Sequence, residues 1–319
     1  MAGAATTPFP VEGKVALITG AGSGINFCFA SLLLSKGCNV LIADLALRPE
    51  AQTLPERYSS KSDSKPRAIF QQTDVTQWTQ LQRAFTTCLD TFNSIDIVCP
   101  GAGVFEPPFS NFWIPPGSAQ STDAPNSNNY TTLDINVTHP IRATQMAIAE
   151  FLNPRDTSAV PKASPSNPKR VILTSSIAGQ TYGLPTPLYF ASKHAIIAFT
   201  RSLGALESTL GIRVNAVAPG VVKTPLWTEH EEKLKWVDQE KDVWVTPEEI
   251  AAAMLRLLTE DDLVGGTVLE VGSQASRVVP AFMNPGPRGE GMGISHGEKA
   301  VEEVFKALGM EGWGKGEGR

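Results

Sequence analysis

The stretch Lys14-Val-Ala-Leu-Ile-Thr-Gly-Ala-Gly-Ser-Gly-Ile-Asn26 determines the fold that we expect for this chain. Its first six residues form an apolar run of strand length, its glycines form a turn, and a helix-like segment continues to about residue 36. A strand, a glycine-rich turn and a helix in this order are typical of a dinucleotide-binding unit. The glycines let backbone amides approach a pyrophosphate at the helix N-terminus, where the helix dipole favours negative charge. A glycine turn of purely structural use is the less favoured alternative, because the motif directly follows the first strand.

Apolar runs of strand length alternate with helix-like segments through most of the remaining chain. Further strands are expected at 39–43, 67–71, 95–99, 170–176, 213–217 and 267–271, and helices at 81–92, 132–151, 188–208 and 247–258. This alternation predicts an α/β fold with seven parallel strands in a Rossmann-type, doubly wound, three-layer αβα arrangement. Residues 1–275 are expected to form one domain. Residues 276–319 are expected to form a C-terminal extension with a short docking helix, whose apolar face carries Val301, Val304, Phe305 and Leu308.

Composition and charge exclude several functions. Of the 319 residues, 42% are hydrophobic and 18% are charged, which is the balance of a globular protein with a substantial core. The net charge of −5 supplies no basic field for nucleic acid or for an anionic membrane surface. The sequence has no apolar run of membrane-spanning length and no signal-peptide pattern, so we expect a cytoplasmic protein. The four cysteines and four histidines are irregularly spaced, which indicates reduced packing cysteines and no metal site.

The segment Tyr189-Phe-Ala-Ser-Lys193 lies inside a strongly helical stretch. Residues i and i+4 share one face of a helix, so the phenol and the ammonium can meet. A free tyrosine has a pKa near ~10, and a nearby cation favours the phenolate and pulls that pKa toward neutral pH. Ser176 ends the strand-like run that begins at Arg170, and it is placed to donate a hydrogen bond to the same reacting oxygen. Taken alone, the Tyr-Lys spacing is more typical of a surface pair on an amphipathic helix.

The end of the second strand carries the residue that we expect to select the cofactor. Asp44 lies 24 positions after Gly20 and suits a bidentate grip on an adenosine ribose, whereas its charge would repel a 2′-phosphate. NAD is therefore favoured over NADP. Arg48 would weaken this preference if it accepted the phosphate, and a solvated loop charge is an equal alternative. Asp74 and Val75 follow the third strand and are candidates to bracket the adenine ring.

The order of the motifs TGAGSGI, Asp44, SSIAG and YFASK resembles that of the short-chain dehydrogenase/reductase family, over roughly residues 12–272. The sequence is most similar to the single-domain branch that includes 15-hydroxyprostaglandin-dehydrogenase-like enzymes. The combination of motifs is highly specific, although no single motif is. The resemblance implies a Rossmann-type fold, NAD or NADP at the carboxyl edge of the sheet, and a homodimer or homotetramer.

The resemblance also implies a role for each matching residue. Tyr189 would be the general acid and base for an alcohol–ketone pair, Lys193 would lower its pKa and hold the nicotinamide ribose, and Ser176 would orient the substrate oxygen. Asn136 matches a helix asparagine that anchors a water in the proton relay from the lysine. The cofactor contacts carried over or expected from the motifs are Gly20, Ser23, Gly24, Ile25, Asp44, Asp74, Val75, Gly101, Ala102, Tyr189, Lys193, Pro219, Gly220, Val222 and Thr224.

Two positions depart from the family pattern. The glycine that follows the isoleucine of the glycine turn is Asn26 here, and Asn-Asn-Ala-Gly after the fourth strand is Pro100-Gly-Ala-Gly103. The first change places a side chain between helix and strand, where Asn26 would bond either a phosphate or a neighbouring backbone group. The second change removes an asparagine amide that braces the sheet edge near the cofactor. Both changes concern cofactor affinity more than chemistry.

Two aromatic segments are expected near the substrate. Residues 105–129 hold Phe105, Phe109, Phe112 and Trp113, and they either line a pocket or pack against a neighbouring subunit. Residues 225–245 hold Trp227, His230, Trp236 and Trp244, and they form either an aromatic roof over the active site or a flap whose tryptophans pack down. Together they predict a small-molecule substrate that is bulky, apolar or ring-bearing.

Three hypotheses follow for the function. The leading one is a dehydrogenase that moves a hydride between NAD(P) and a secondary alcohol or ketone on such a substrate. The second is a non-redox isomerase, cyclase or lyase on the same fold. The third is a sensor that binds NAD(H) without turnover, and the presence of Ser176, Tyr189, Lys193 and Asn136 argues against it.

Overall fold

A single sheet of eight strands organises the molecule. The computed structural model describes residues 9–59, 65–155, 160–229, 231–234, 236–238, 241–281, 305–306 and 308–310. The strands are β1 (Val15–Thr19), β2 (Asn39–Asp44), β3 (Ala68–Gln72), β4 (Ile97–Pro100), β5 (Lys169–Thr174), β6 (Ile212–Pro219), β7 (Val268–Gly272) and β8 (Ala275–Val278). Their spatial order is β3-β2-β1-β4-β5-β6-β7-β8. The expected Rossmann-type sheet is therefore confirmed, and its first seven strands are parallel.

The eighth strand corrects the expected count of seven. β8 pairs antiparallel with β7 through a two-residue turn, because Gly272 faces Ala275 across the hairpin. Gln274 in that turn has a φ of 58°, the left-handed conformation that tight hairpin turns require. All four residues of β8 are exposed. The strand therefore carries no alternating apolar pattern by which the sequence could reveal it.

Helices cover both faces of the sheet. They are α1 (Gly24–Ser35), α2 (Pro49–Arg57), α3 (Trp78–Phe92), α4 (Thr131–Leu133), α5 (His139–Leu152), α6 (Pro187–Ser202), α7 (Leu206–Leu210), α8 (Pro225–Thr228), α9 (Glu231–Leu234) and α10 (Pro247–Thr259). In β1, Ala16 and Ile18 pack with α1 and α10, while Val15 and Leu17 pack with α3, α5 and α6. Successive side chains of a strand point to opposite faces, so a parallel strand buried on both faces is apolar throughout.

Three helical segments differ from expectation. The helix α2 was not expected, because prolines at positions 49 and 55 obscure its pattern; Pro49 stands at the helix start, where proline is tolerated. The stretch 132–151 is not one α-helix, since residues Asp134–Thr138 form a π-turn between α4 and α5. The stretch 188–208 is broken between α6 and α7. Gly204 packs there so closely that a Cβ would lie 2.9 Å from the Gly265 carbonyl oxygen.

The C-terminal part is described only in pieces. The expected boundary at residue 275 falls at the start of β8, so the sheet continues three residues beyond it. Of the expected docking helix, Leu308 is buried in the core cluster beside α3, α5 and α6, and Phe305 packs against the same cluster. Val301 and Val304 lie outside the described residues. The division at residue 275 stays a prediction.

Candidate active site

A cleft opens at the carboxyl ends of the parallel strands, next to β1 and β4. The chain proceeds from β1 to β2 in one direction and from β4 to β5 in the other, so this is the point where ligands bind in doubly wound sheets. Every cofactor contact expected from the sequence lines the cleft, and so does Ser176. The roles of these residues stay predictions, but the structure brings all of them to one place.

The glycine turn after β1 has the shape of a dinucleotide cradle. Gly20 has a φ of 72°, and a Cβ on it would lie 2.6 Å from the Ala102 Cα. A Cβ on Gly22 would lie 2.8 Å from the Asp44 carboxylate. Ser23 stands at the N-cap of α1 but its side chain makes no capping hydrogen bond, so the first turn keeps donors for an anion. These features fit a pyrophosphate.

Two backbone amides fix the carboxylate of Asp44, which lines the cleft. Its Oδ2 accepts a hydrogen bond from the Gly22 amide at 2.7 Å, and its Oδ1 accepts one from the Leu45 amide at 2.7 Å. Burial raises the pKa of Asp44 above its ordinary value, while these backbone amides and the charge of Arg48 lower it. Both oxygens keep a lone pair for a further donor, as a ribose diol would require.

Arg48 is engaged elsewhere than the cleft. Its two terminal guanidinium nitrogens donate to both carboxylate oxygens of Glu229, just after α8. We expected Arg48 to be either a solvated loop charge or a phosphate acceptor. The structure shows it instead in an ion pair that links the end of β2 to residues 225–245. Sequence reasoning missed this pair because 181 residues separate its members.

Asp74 and Val75, the residues predicted to bracket an adenine ring, both line the cleft. The Asp74 Oδ1 accepts hydrogen bonds from the Thr76 amide at 2.9 Å and the Thr76 hydroxyl at 2.7 Å. This carboxylate therefore stabilises its own turn before α3, and Val75 presents the apolar surface.

Asn26 binds a backbone group. Its Nδ2 donates to the Gly101 carbonyl oxygen at 2.9 Å, and its Oδ1 lies 3.9 Å from the Cys99 Sγ, which donates weakly to it. Of the two partners expected for this residue, the neighbouring backbone is the one that the structure shows.

Tyr189 stands in the first turns of α6 with Ser176 opposite it. Ser176 follows β5, and its hydroxyl accepts a hydrogen bond from the Ala178 amide at 3.1 Å. Burial raises the pKa of Tyr189 above its ordinary value, while a hydrogen bond with the Ser176 hydroxyl lowers it. The depression of the Tyr189 pKa that we expected from Lys193 is not seen here: burial is the largest influence, and the hydrogen bond with Ser176, rather than the charge of Lys193, acts against it.

Lys193 lies one turn further along α6 on the same face. Its ammonium is 5.4 Å from the centre of the Tyr189 ring and donates to the Thr174 carbonyl oxygen at 2.9 Å. Burial lowers the pKa of Lys193 to about 8. The spacing of four residues thus places phenol and ammonium together as expected.

Asn136 lies behind the cleft wall, in the π-turn that precedes α5. Its Oδ1 accepts from the Val104 amide and its Nδ2 donates to the Val104 carbonyl oxygen, both at 2.9 Å. The Nδ2 also lies 3.2 Å from the Ser192 hydroxyl. Pro140 has no N–H to donate to the Asn136 carbonyl oxygen, which would be its partner in an α-helix. A wider turn at this position follows from that missing donor.

The turn after β6 closes the cleft from the other side. Gly220 donates to the Val271 carbonyl oxygen at 2.9 Å, and Thr224 is the N-cap of α8. A Cβ on Gly24 would lie 3.4 Å from the Thr224 Cγ2, so the two turns approach each other across the cleft. Pro219 and Val222 complete this wall.

Aromatic rings cover the substrate side of Tyr189. Phe105 packs edge-on against Tyr189 with centroids 4.6 Å apart, and it also contacts Trp227 at 4.9 Å and Trp236 at 6.2 Å. Trp244 lies 6.1 Å from Trp227. Of residues 105–129, Phe105 is buried against the Tyr189 ring, whereas Phe112 and Trp113 are exposed. His230 lies outside the described residues.

Glu106 is a site residue that sequence reasoning missed. It is buried, its φ is 41°, and its Oε2 accepts a hydrogen bond from the Tyr189 amide at 2.9 Å. Its Oε1 accepts from the Phe112 amide at 3.0 Å. Burial raises the pKa of Glu106, while the Phe112, Tyr189 and Leu188 amides and the charge of Lys233 lower it. A glutamate in a proline-rich loop gives no sign in the sequence that it caps a helix 83 residues away.

The sequence likewise gives no sign of the role of Lys233 in α9, because its partner Phe105 lies 128 residues away. Its ammonium donates to the Phe105 carbonyl oxygen and lies 4.6 Å from the centre of the Phe105 ring. The roof segment is thereby joined to the loop that packs on Tyr189.

The described residues contain no group of three histidine, cysteine, aspartate or glutamate side chains that could hold a metal ion. Cys38, Cys88 and Cys99 are buried and Cys28 is half-buried, and all four are free thiols. No helix in the described part of the chain has the length and apolar character needed to span a membrane.

Known proteins resemble this chain in sequence and in structure. The chain is 30% identical over 278 residues to the 15-hydroxyprostaglandin dehydrogenase (NAD(+)) of Rattus norvegicus, covering 82% of this chain and 91% of that protein. It is 29% identical over 275 residues to (+)-borneol dehydrogenase 2 of Salvia officinalis, covering 85% and 87%. The 3-ketoacyl-(acyl-carrier-protein) reductase of Brucella melitensis, solved in complex with NADH, superposes with a TM-score of 0.61 at 25% identity, covering 82% of this chain and 97% of that chain.

A family model agrees with these similarities. The model described as short chain dehydrogenase matches residues 14–235, which is more than half of the chain and includes the glycine turn, Ser176, Tyr189 and Lys193. The chain belongs to the short-chain dehydrogenase/reductase family and is an NAD(P)-dependent oxidoreductase by descent.

Proposed function

We propose that this protein transfers a hydride between NAD(P) and a secondary alcohol or ketone on a bulky apolar substrate. The observation that carries the proposal is the arrangement at the base of the cleft. The Tyr189 phenol is hydrogen-bonded to Ser176 and lies beside the Lys193 ammonium, next to a cradle that fits a dinucleotide. The nicotinamide, when bound, accepts or supplies the hydride.

The chain's own residues manage the proton. The Tyr189 oxygen gives a proton to, or takes one from, the substrate oxygen, which the Ser176 hydroxyl orients. Because burial raises the pKa of the phenol, the phenolate needs compensating positive charge to form near neutral pH. Lys193 is the nearby cation, and its own pKa of about 8 keeps it mostly protonated at pH 7. Asn136 holds Val104 in the cleft wall and is the proposed link in the proton relay from Lys193.

NAD is the proposed cofactor in preference to NADP. The fixed Asp44 carboxylate would accept bonds from a ribose diol and repel a 2′-phosphate. The engagement of Arg48 by Glu229 supports the same preference, because it reduces the positive charge available to a phosphate. The relative from Rattus norvegicus is an NAD(+) enzyme by its name.

The proposed substrate is an alcohol or ketone on a large hydrocarbon framework. Trp227 lines the cleft, and the Phe105 ring packs against Tyr189 and contacts both Trp227 and Trp236, so the surroundings of Tyr189 are apolar. The names of two relatives refer to hydroxyprostaglandin and borneol, both hydroxylated carbon skeletons. We also propose a cytoplasmic homodimer or homotetramer, on the basis of the family resemblance.

The change in reduced-nicotinamide absorbance tests this proposal. The purified protein is incubated with NAD or NADH and a panel of ring-bearing alcohols and ketones. We expect turnover for at least one pair, and Tyr189→Phe should reduce kcat by at least about 100-fold, the usual contribution of an acid–base group. Substrate conversion without any change in nicotinamide absorbance would indicate the isomerase, cyclase or lyase alternative. A Tyr189→Phe variant that keeps the wild-type kcat would overturn the mechanism.

A further inference from the structure

We propose that Asn26 and Gly101 form one coupled positioning pair, in which the Asn26 amide braces the β4 end from the α1 side and fixes the spacing of the cofactor cradle. This inference rests on the proposed cofactor site and explains both departures from the family pattern as a single reciprocal change. Neither residue is proposed to take part in the chemistry.

The two residues share one volume. A Cβ built on Gly101 would lie 2.6 Å from the Asn26 Cγ and closer still to both terminal atoms of that side chain. Carbon atoms in folded proteins do not approach this closely without one of them moving. Asn26 is 6% exposed and its amide group contacts Gly101 and Cys99 at the end of β4, so a shift of its side chain would break these contacts. A side chain at position 101 and the present orientation of Asn26 therefore exclude each other.

The hydrogen bonds show what the pair does. The Asn26 Nδ2 donates to the Gly101 carbonyl oxygen at 2.9 Å, and its Oδ1 is the acceptor for Cys99 in the same strand. The first turn of α1 is thus tied to the end of β4, 75 residues away in sequence. Ser23 and Gly24 precede Asn26 in the chain, Ala102 follows Gly101, and all three line the cleft. The link accordingly fixes the distance between the two halves of the cradle.

A four-member cycle of variants tests the pair: wild type, Asn26→Gly, Gly101→Asn, and the double variant with both changes. The dissociation constant for NADH is measured by fluorescence titration without substrate, so that activity plays no part. We expect each single change to weaken NADH binding by roughly tenfold. Asn26→Gly leaves the Gly101 carbonyl oxygen without its donor and an empty space beside it, whereas Gly101→Asn forces two side chains into the same space. The double variant should recover to within about threefold of wild type, because an amide from position 101 can fill the same space.

Matched controls separate positioning from general destabilisation. Ser31→Gly also introduces a glycine into α1, at a position outside the cleft lining, and Gly272→Ala adds a Cβ at the end of β7, outside the cleft lining, that meets the Ala275 carbonyl oxygen only at 4.0 Å. Both controls should keep the wild-type dissociation constant, even if their melting temperatures fall. If Gly101→Asn does not fold, Gly101→Ala replaces it, and Asn26→Gly should then relieve the effect of Gly101→Ala.

The outcomes distinguish this inference from the proposed function. If wild type binds NADH and the losses of the two single variants multiply in the double variant, the proposed coupling of Asn26 and Gly101 is wrong and the proposed function stands. The pair is also wrong if Ser31→Gly weakens NADH binding as much as Asn26→Gly does. If wild type binds neither NADH nor NADPH, the proposed function fails and the pair fails with it.

Discussion

Asp44 lines the cleft at the end of β2, whereas Arg48, four positions later, is bound by Glu229 outside the cleft lining. Glu229 binds both terminal nitrogens of the Arg48 guanidinium, a bidentate geometry that fixes the guanidinium plane. A 2′-phosphate would therefore have to displace Glu229 before Arg48 could bind it. Both side chains are substantially exposed, so the pair is weak in energy and acts by occupying the arginine.

The change Glu229→Gln should consequently raise the affinity for NADPH relative to NADH. We expect the ratio of the two dissociation constants to shift toward NADPH by about three- to tenfold, since the released guanidinium can accept a phosphate. Fluorescence titration of both cofactors measures the ratio. In an Arg48→Ala background the same Glu229→Gln change should have no effect on it. An unchanged ratio in the Arg48 protein would show that the ion pair does not contribute to cofactor choice.

Helix α6 is the element that sets the site, and its N-terminus is capped from outside. Thr186 stands at the N-cap but makes no side-chain capping bond. The carboxylate of Glu106 binds the Tyr189 amide instead, where the helix dipole favours negative charge. The same carboxylate binds the Phe112 amide, and Lys233 binds the preceding carbonyl group. Glu106 and the adjacent Phe105 thus connect α6, the loop that carries Phe112, and α9.

Glu106→Gln should therefore affect turnover as well as stability. The amide keeps the length of the side chain but loses the charge and turns one acceptor into a donor, so Tyr189 shifts relative to Ser176. We expect kcat to fall by about tenfold, equivalent to ~1.4 kcal/mol, and the free energy of unfolding to fall by roughly 1–3 kcal/mol. Steady-state kinetics and urea unfolding measure the two effects.

Asp123→Asn is the matched control for that change. Asp123 is a buried carboxylate in the same loop, but its side chain accepts hydrogen bonds from Ser110 and Thr131, neither of which belongs to α6. It should lose similar stability and keep kcat within about twofold. Equal losses of kcat in the two variants would contradict the positioning role of Glu106.

At the scale of the whole molecule, the sequence predicts what depends on local pattern. The apolar runs and the glycine turn predict seven strands in order, and the i, i+4 spacing places Tyr189 and Lys193 on one face. The sequence does not predict β8, because its four residues are exposed and carry no periodicity. Nor does it predict the contact of Glu106 with α6 or that of Asn26 with Gly101, because both depend on which segments meet in space rather than on neighbours along the chain.

His139 is a buried group whose effect concerns the stability of the entire fold. Its Nδ1 lies 3.1 Å from the Ile135 carbonyl oxygen, and its Nε2 lies 3.0 Å from the Thr19 hydroxyl. Because a carbonyl oxygen only accepts, Nδ1 carries the proton and Nε2 accepts from Thr19, whose oxygen in turn accepts from the Ala102 amide at 3.2 Å. Burial lowers the pKa of His139 to about 4.

Neutral His139 makes the protein sensitive to mild acid. In the unfolded chain a histidine has a pKa of about 6.5, so below this pH the unfolded state binds a proton that the folded state does not. The free energy of unfolding should therefore fall as the pH drops from about 6.5 to about 4, by roughly 3 kcal/mol from this residue alone.

His139→Gln removes the titration, so the difference in unfolding free energy between wild type and variant should shrink progressively between pH 7 and pH 4.5 in urea unfolding experiments. The exposed His194 provides the control, since His194→Gln should keep the wild-type slope. A His139→Gln variant that loses stability with pH as steeply as wild type would show that another group carries the acid sensitivity.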